Sequence, residues 1–255
     1  MRAVLLLSLL TLTAARAAAD PDDLIARPLV LAPGEVEGAL SIETNLSINA
    51  HWNPTSIAPD LWYGVTDRLT VGVVTSTAAL SLVDKSGGWC FRGPDHGCAD
   101  ALVDLALEGR WSLLEGPLAA AVRVRVVSRR FAPWLPSLRL ATRGRWRRGR
   151  FAITAEPQVQ IGLAHTELGN RARVDLPIWL SVQPTCRWEL FLHSGPGAEL
   201  AIYHDAWAAP LALGVRAAVT PRIDVAAEGG LVRALGPLNE GKLIVAWLGV
   251  DVRWP

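Results

Sequence analysis

From Glu35 onward, apolar and polar residues alternate with a period of two, and this pattern constrains the fold more than any other feature of the sequence. The first alternating segment contains an apolar series, Leu40, Ile42, Thr44, Leu46 and Ile48, and a polar series, Ser41, Glu43, Asn45, Ser47 and Asn49. Successive side chains of a β-strand point to opposite faces, so this period predicts strands with one apolar and one polar face. Similar alternation returns at 101–110, 122–126, 138–143 and 211–216.

The connections between the predicted strands alternate between two sizes. Tight turns are predicted at 66–67, 115–117, 148–149, 184–185 and 220–221. Longer connections lie between them, at 51–56, 78–99, 131–136, 164–172, 195–207 and 232–241. About twelve strands in up-and-down order result, with ten as the alternative, and tight turns at one end with long loops at the other are typical of outer-membrane β-barrels. An even number of strands places both termini at the tight-turn, periplasmic end.

Aromatic residues collect near the predicted tight turns and the C-terminus, on the apolar side of their strands. They are Tyr63, Trp111, Trp146, Phe151, Trp188 and Trp254. A girdle of amphipathic rings is expected where a barrel meets the membrane interface. The alternative is that these are core residues of a soluble β-sandwich, which gives no reason to collect them at one end of the strands.

The number of strands favours closure of the sheet. An open sheet of this size would leave long hydrophobic edge strands, whereas closure in lipid satisfies every backbone hydrogen bond. The sequence therefore predicts an all-β fold, an antiparallel up-and-down transmembrane β-barrel of about twelve strands over residues 35–255. The hydrophobic content of 51% is compatible with this fold but could also be buried in a soluble domain. Pro177 lacks a backbone donor and predicts a bulge in its strand.

The first nineteen residues have the features of a secretory signal peptide. Met1 and Arg2 precede an apolar run at 3–12, and small residues lead to Ala19, after which cleavage is expected. The run is shorter than the roughly 20 residues that a transmembrane helix needs. Cleavage leaves residues 20–34 as a periplasmic N-terminal segment. It also removes Arg2 and Arg16, which takes the formal net charge from +1 to about −1 and leaves no basic surplus for nucleic acid.

Three segments carry a resemblance to a known family. Residues 61–73, with the turn at Thr66 and Asp67, resemble the strand, tight periplasmic turn and strand of proteobacterial outer-membrane β-barrels of the porin-like type. Residues 211–227 are similar but looser. The last predicted strand, 242–254, resembles the C-terminal signal by which such barrels are assembled, although Pro255 follows the terminal aromatic residue here. The resemblance implies a Gram-negative outer-membrane barrel, with lipid, lipopolysaccharide and the barrel assembly machinery as partners.

The polar side of the predicted strands, which would face the lumen, is rich in arginine over one part of the barrel. The candidate pore-lining residues are Asp104, Glu108, Arg110, Arg123, Arg125, Arg139, Arg143, Arg145 and Glu156. Hairpin geometry places Glu108 roughly opposite Arg123, Arg123 near Arg145, and Arg125 near Arg143, with a register error of one or two residues. Because a buried guanidinium needs water or a carboxylate, this wall either borders a water-filled, anion-preferring pore or interlocks with its carboxylates in a closed lumen. Small residues on the other strands, Gly72 and Gly214 among them, predict free space inside.

The cysteines and histidines give weaker signals. Cys90 and Cys98 share a polar segment rich in Gly and Pro and predict a local disulfide, because the chain is directed to export. A zinc site that uses His96 is the alternative, although the spacing matches no zinc signature. Cys186 has no obvious partner. All five histidines, His51, His96, His165, His193 and His204, map to long loops or adjoining strand ends, so either a metal-capturing rim or ordinary polar loops would explain them.

These features favour a small porin or channel that passes small solutes, anions among them. A non-conducting structural or adhesive barrel is one alternative. A lipid hydrolase or deacylase is another, since His193, Ser194, His204 and Asp205 lie near the outer rim, but no nucleophile-elbow motif is present. The sequence predicts no enzymatic activity, no cofactor and no metal, and it leaves the solute and the oligomeric state open.

Overall fold

The computed structural model describes residues 23–47, 55–76, 88–91, 102, 104–131, 133–202, 205, 207–237 and 244–255. These residues form one 16-stranded sheet. The strands are β1 (Val36–Asn45), β2 (Thr55–Gly64), β3 (Leu69–Val74), β4 (Trp89–Phe91), β5 (Leu105–Leu114), β6 (Leu118–Phe131), β7 (Trp134–Arg148), β8 (Phe151–Ala155), β9 (Gln158–Gly162), β10 (Arg173–Asp175), β11 (Ile178–Thr185), β12 (Trp188–Ser194), β13 (Gly197–Glu199), β14 (Ala209–Thr220), β15 (Ile223–Leu235) and β16 (Ile244–Trp254). Short 3-10 helices lie at Leu24–Ala26, Thr166–Leu168 and Leu200–Ile202.

Twelve of the strands close into an antiparallel barrel, in the order β1, β2, β3, β5, β6, β7, β8, β11, β12, β14, β15 and β16. The first and last strands pair along their whole length, from Val36 opposite Trp254 to Asn45 opposite Val245. The predicted fold class is therefore confirmed, with twelve strands rather than ten. No helix among the described residues is long and apolar enough to cross a bilayer.

The five predicted tight turns are present at one end of the barrel. They lie at 65–68, 115–117, 149–150, 186–187 and 221–222. Gly116 and Gly149 have φ values of 97° and 59°, which glycine adopts without the steric cost other residues would incur. Only the fourth turn was misplaced, because β11 continues through Pro184 and Thr185 before the chain reverses.

One predicted long connection, 131–136, is wrong. β6 runs to Phe131 and β7 begins at Trp134, so only two residues join these strands. Because the hairpin reverses earlier than expected, the register between β6 and β7 changes. Arg125 lies opposite Arg139 instead of Arg143, and Arg123 lies opposite Ala141 instead of Arg145. Glu108 lies opposite Arg125, two residues from the predicted partner, and a register shift follows at Ser112.

Three of the remaining four strands extend the wall beyond a row of prolines, and the fourth, β4, pairs with β2. Pro157, Pro177 and Pro196 interrupt three neighbouring barrel strands at the same height, and β9, β10 and β13 continue those strands toward the long-loop end. Each proline carbonyl still accepts a hydrogen bond, from Thr142, Glu156 and Leu176 respectively, at 2.8–3.1 Å. The irregularity expected at Pro177 is therefore part of an aligned break.

The two faces of the barrel wall are inverted relative to a soluble protein. Large apolar side chains point outward, such as Leu213 at 70% exposure and Leu107 at 65%, whereas Glu108 and Asp224 point inward at 4% and 3%. A soluble domain would bury the first pair and expose the second. The apolar exterior and charged interior are those of a transmembrane β-barrel.

Candidate pore interior

All nine candidate pore-lining residues lie on the interior side of the wall or at its inner rim. Asp104 precedes β5, and Glu108 and Arg110 lie on β5. Arg123 and Arg125 lie on β6, Arg139, Arg143 and Arg145 on β7, and Glu156 follows β8. The carboxylates among them are buried, as are Arg123 and Arg125. The alternation of the strands thus places these charges on one continuous part of the wall, and their role in lining a pore stays a prediction.

Glu108 is the centre of this cluster. Arg110 Nε and Arg123 Nη2 donate to its two carboxylate oxygens at 2.5 and 2.8 Å, and Arg125 Nε donates as well. Trp62 Nε1 adds a fourth donor at 2.9 Å, and the guanidinium of Arg110 lies 4.4 Å from the centroid of the Trp62 ring. One carboxylate therefore holds three cations in place.

Glu156 forms a second centre beside the first. Arg123 Nη1 donates to it, and Arg143 Nε lies 3.7 Å from its other oxygen. Arg123 thus bridges the two carboxylates, whereas Arg143 has more than a third of its side chain exposed. Arg139 donates to Gln160 at 2.6 Å. The wall therefore combines interlocked arginines with partly exposed ones.

The wall on the other side of the barrel also carries charge, which the sequence reasoning missed. β14, β15 and β16 are six positions around the barrel from β5, β6 and β7. They present Arg216, Asp224, Glu228, Asp251 and Arg253 inward, and the adjoining strands add Glu37, Glu43 and Glu189. The signal was available, because these residues keep the polar parity of their strands. Net positive and net negative walls therefore face each other.

His193 belongs to this second wall. Its Nδ1 lies 2.7 Å from Glu228 Oε1, and its ring stacks on Trp179 with centroids 4.6 Å apart. The neighbouring Ser194 donates its hydroxyl to the carbonyl of Pro210 instead. His193 and Ser194 thus do not form the nucleophile and base pair that a hydrolase would need.

The space expected beside the interior glycines is occupied. A Cβ on Gly72 would come within 2.2 Å of the Trp62 ring, and one on Gly214 within 2.1 Å of the Phe191 ring. These glycines accommodate large side chains of the adjacent strand, so their lack of a side chain does not leave a void.

The N-terminal segment before β1 runs through the interior at the tight-turn end. Leu24, Ile25, Val30 and Leu31 are buried there. Arg27 pairs with Asp224 of β15. Burial and the nearby Arg253 and Arg216 lower the pKa of Arg27 to about 10, so the guanidinium stays charged at neutral pH. The sequence signal was the presence of four large apolar residues in a segment expected to be outside the barrel.

The six aromatic residues expected at the interface point outward. Tyr63, Trp111, Trp146, Phe151, Trp188 and Trp254 are 46–64% exposed, and each lies near a tight turn or the C-terminal end of β16. Their contact with lipid headgroups stays a prediction.

The remaining candidates lie mostly outside the described residues. Cys90 is in β4, but Cys98 is not described, so the disulfide stays a prediction. The signal peptide, His51, His96 and His204 also lie outside. Cys186 is free and exposed in a tight turn. The described part of the chain contains no group of three His, Cys, Asp or Glu residues arranged to hold a metal ion.

Comparison with solved structures identifies the fold. The KdgM porin matches with a TM-score of 0.55 and 7% identity over 86% of this chain and 99% of that one. The KdgM porin in complex with disordered oligogalacturonate matches with a TM-score of 0.57 and 7% identity over the same shares. The NanC porin matches with a TM-score of 0.51 and 9% identity over 84% and 98%. No protein-family model and no curated protein matches the sequence. The chain therefore has the porin-like fold of these structures.

Proposed function

We propose that this chain is a small outer-membrane porin that passes small solutes, anions among them, through a charged interior. The observation that carries the proposal is the inverted wall: a closed barrel exposes leucines outward and holds arginines and carboxylates inside. The porin fold supports the same function, and one of the porins with this fold was solved with an acidic oligosaccharide. The proposed orientation in the membrane has the tight turns and both termini in the periplasm, and it brings the outward aromatic residues into contact with the lipid interface.

The arginines of β7 are the best candidates for attracting an anionic solute. Arg143 is partly exposed, and Arg145 donates to the backbone carbonyl of Arg27 and to no carboxylate in the described residues. Arg123 and Arg125, by contrast, are neutralised by Glu108 and Glu156. Since fixed cations near the solute path favour anions, β7 should contribute most to ion selectivity.

Replacing Arg143 and Arg145 by Gln tests this function. The reversal potential in planar bilayers under a salt gradient should shift toward cations, because the side chains keep their size and lose their charge. Arg148→Gln and Arg150→Gln, exposed at the nearby tight turn, are the matched controls and should leave it unchanged. A conducting variant with wild-type selectivity would contradict the role of β7.

A non-conducting structural barrel is the second candidate, and the Glu108 cluster favours it. The Glu108 side chain has no exposed surface and three arginine partners, so part of the interior is packed by its own charges. The same bilayer recording separates the two functions, since refolded protein with an unboiled gel shift and no channel activity would support the structural barrel. The proposal includes no enzymatic activity.

A further inference from the structure

We propose that residues 23–34 form the constriction of the channel and thereby set the largest solute that passes. The inference rests on the proposed porin function. The segment lies inside the barrel at the tight-turn end, and its contacts reach strands on opposite sides of the lumen.

The contacts of Arg27 show that the segment crosses from one wall to the other. Arg145 of β7 donates to the backbone carbonyl of Arg27. The guanidinium of Arg27 pairs with Asp224 of β15. β7 and β15 are five strands apart in one direction around the barrel and seven in the other. A single residue of the segment therefore bridges the arginine-rich wall and the acidic wall.

Further contacts fix the segment on both sides of this bridge. Arg147 Nη1 lies 2.9 Å from Asp23 Oδ2, and the Ile25 amide donates to Gln183 at 3.0 Å. Beyond Arg27, the Leu31 amide donates to Thr70 Oγ1 at 2.8 Å. Residues of four strands, β3, β7, β11 and β15, thus bind side chains or backbone groups of the segment. The segment is therefore an ordered part of the interior.

Burial of apolar residues adds to this attachment. Leu24 and Ile25 are each 3% exposed, and Leu31 packs in a cluster with Trp62 and Val74 of the barrel wall. An apolar side chain released into water would lose the favourable free energy of its burial. The segment is thus held by a hydrophobic contribution as well as by charge.

The barrel wall has a glycine where the backbone of the segment contacts it. Gly64, at the end of β2, exchanges backbone hydrogen bonds of 2.8 Å with Gly34 and Glu35. A Cβ at Gly64 would lie 1.9 Å from the carbonyl oxygen of Ala32. Because that atom belongs to the backbone, an alanine at position 64 must displace the segment itself.

The test compares the full chain, a variant that lacks residues 23–34, and Gly64→Ala. Single-channel conductance in planar bilayers and the size limit for neutral polyethylene glycols in proteoliposome swelling are measured. The deletion should raise the conductance by about twofold or more and admit larger polymers, and Gly64→Ala should change both in the same direction. Gly109→Ala is the matched control, since a Cβ there meets no atom within 4 Å, and it should behave as wild type. Unboiled gel mobility verifies that each barrel is folded.

The outcomes separate this inference from the porin function. If wild type and the deletion conduct with the same size limit, the inference is overturned and the porin function stands. If wild type is silent and the deletion conducts, the segment closes the barrel completely, and both the size-limiting role and the porin function of the full chain are overturned. If neither folded protein conducts, both are overturned.

Discussion

At the scale of single residues, Glu108 shows how a charged interior is stabilised. Three guanidinium groups converge on one carboxylate, and the indole of Trp62 occupies a remaining acceptor position. Like-charged arginines on neighbouring strands would repel each other without it. The residue is therefore better described as the support of the arginine wall than as a site for solute.

Replacing Glu108 by Gln should destabilise the barrel strongly. Removing one partner of a buried ion pair costs about 3–5 kcal/mol because the other charge is left uncompensated. The midpoint of unfolding in lipid vesicles or detergent should fall accordingly. Glu167→Gln, in the exposed loop after β9, is the control and should change stability by less than about 0.5 kcal/mol. Equal stability of the two variants would show that the Glu108 cluster contributes little.

At the scale of elements, three prolines lie at one height and interrupt three neighbouring strands together. A proline inside a strand removes one ladder donor, but Pro157, Pro177 and Pro196 each use their carbonyl toward the neighbouring strand. The break therefore passes across three strands as one line. The pairing of β1 with β16 has no such break, and it is the contact that turns the sheet into a barrel.

A cysteine pair across β1 and β16 should report this closure. Ile42 and Leu248 are direct partners on the outer face, so Ile42→Cys with Leu248→Cys, in a Cys186→Ser background, should form a disulfide on oxidation. Ile42→Cys with Val250→Cys, a diagonal pair some 7–8 Å apart, should not. Mass spectrometry of the oxidised folded protein distinguishes the two. Cross-linking of the diagonal pair, without cross-linking of the direct pair, would show that the register between β1 and β16 differs by two residues from the one described.

At the scale of the whole molecule, the environment decides which face of the wall is stable. The outward leucines, valines and aromatic rings would aggregate in water, whereas in lipid they contact acyl chains. The inward charges pair with one another and with the N-terminal segment, or they face the lumen. The outer face of the wall is thus stable only in a bilayer, whereas ion pairs within the barrel stabilise the inner face.

An arginine on the outer face should therefore be costly according to its depth. Leu213→Arg, well away from the turn of β14, should lower the free energy of unfolding in vesicles by about 2–4 kcal/mol, and Val219→Arg beside the turn by about 0–1 kcal/mol. Both residues are exposed and on the same strand, so each serves as the control for the other. Equal effects on stability would contradict a membrane-embedded outer face.

The sequence by itself determined the period-two alternation, the alternation of tight turns with long loops, and hence the barrel with its arginines inside. These properties are local, since they depend on the side of each strand that a residue occupies and on short turns with Gly or Pro. The acidic residues of β15 and β16 were available to the same reasoning, because Asp224, Glu228 and Asp251 keep the polar parity.

Only the tertiary structure decided the strand register, the filling of the interior and the course of the N-terminal segment. The register of β6 with β7 depends on where the hairpin reverses, and a two-residue change there moves every pair. The contacts of Arg27 with Arg145 and Asp224 join residues more than a hundred positions apart. Such contacts depend on the closed shape of the barrel, which brings opposite walls within reach of one segment, and no local pattern encodes that distance.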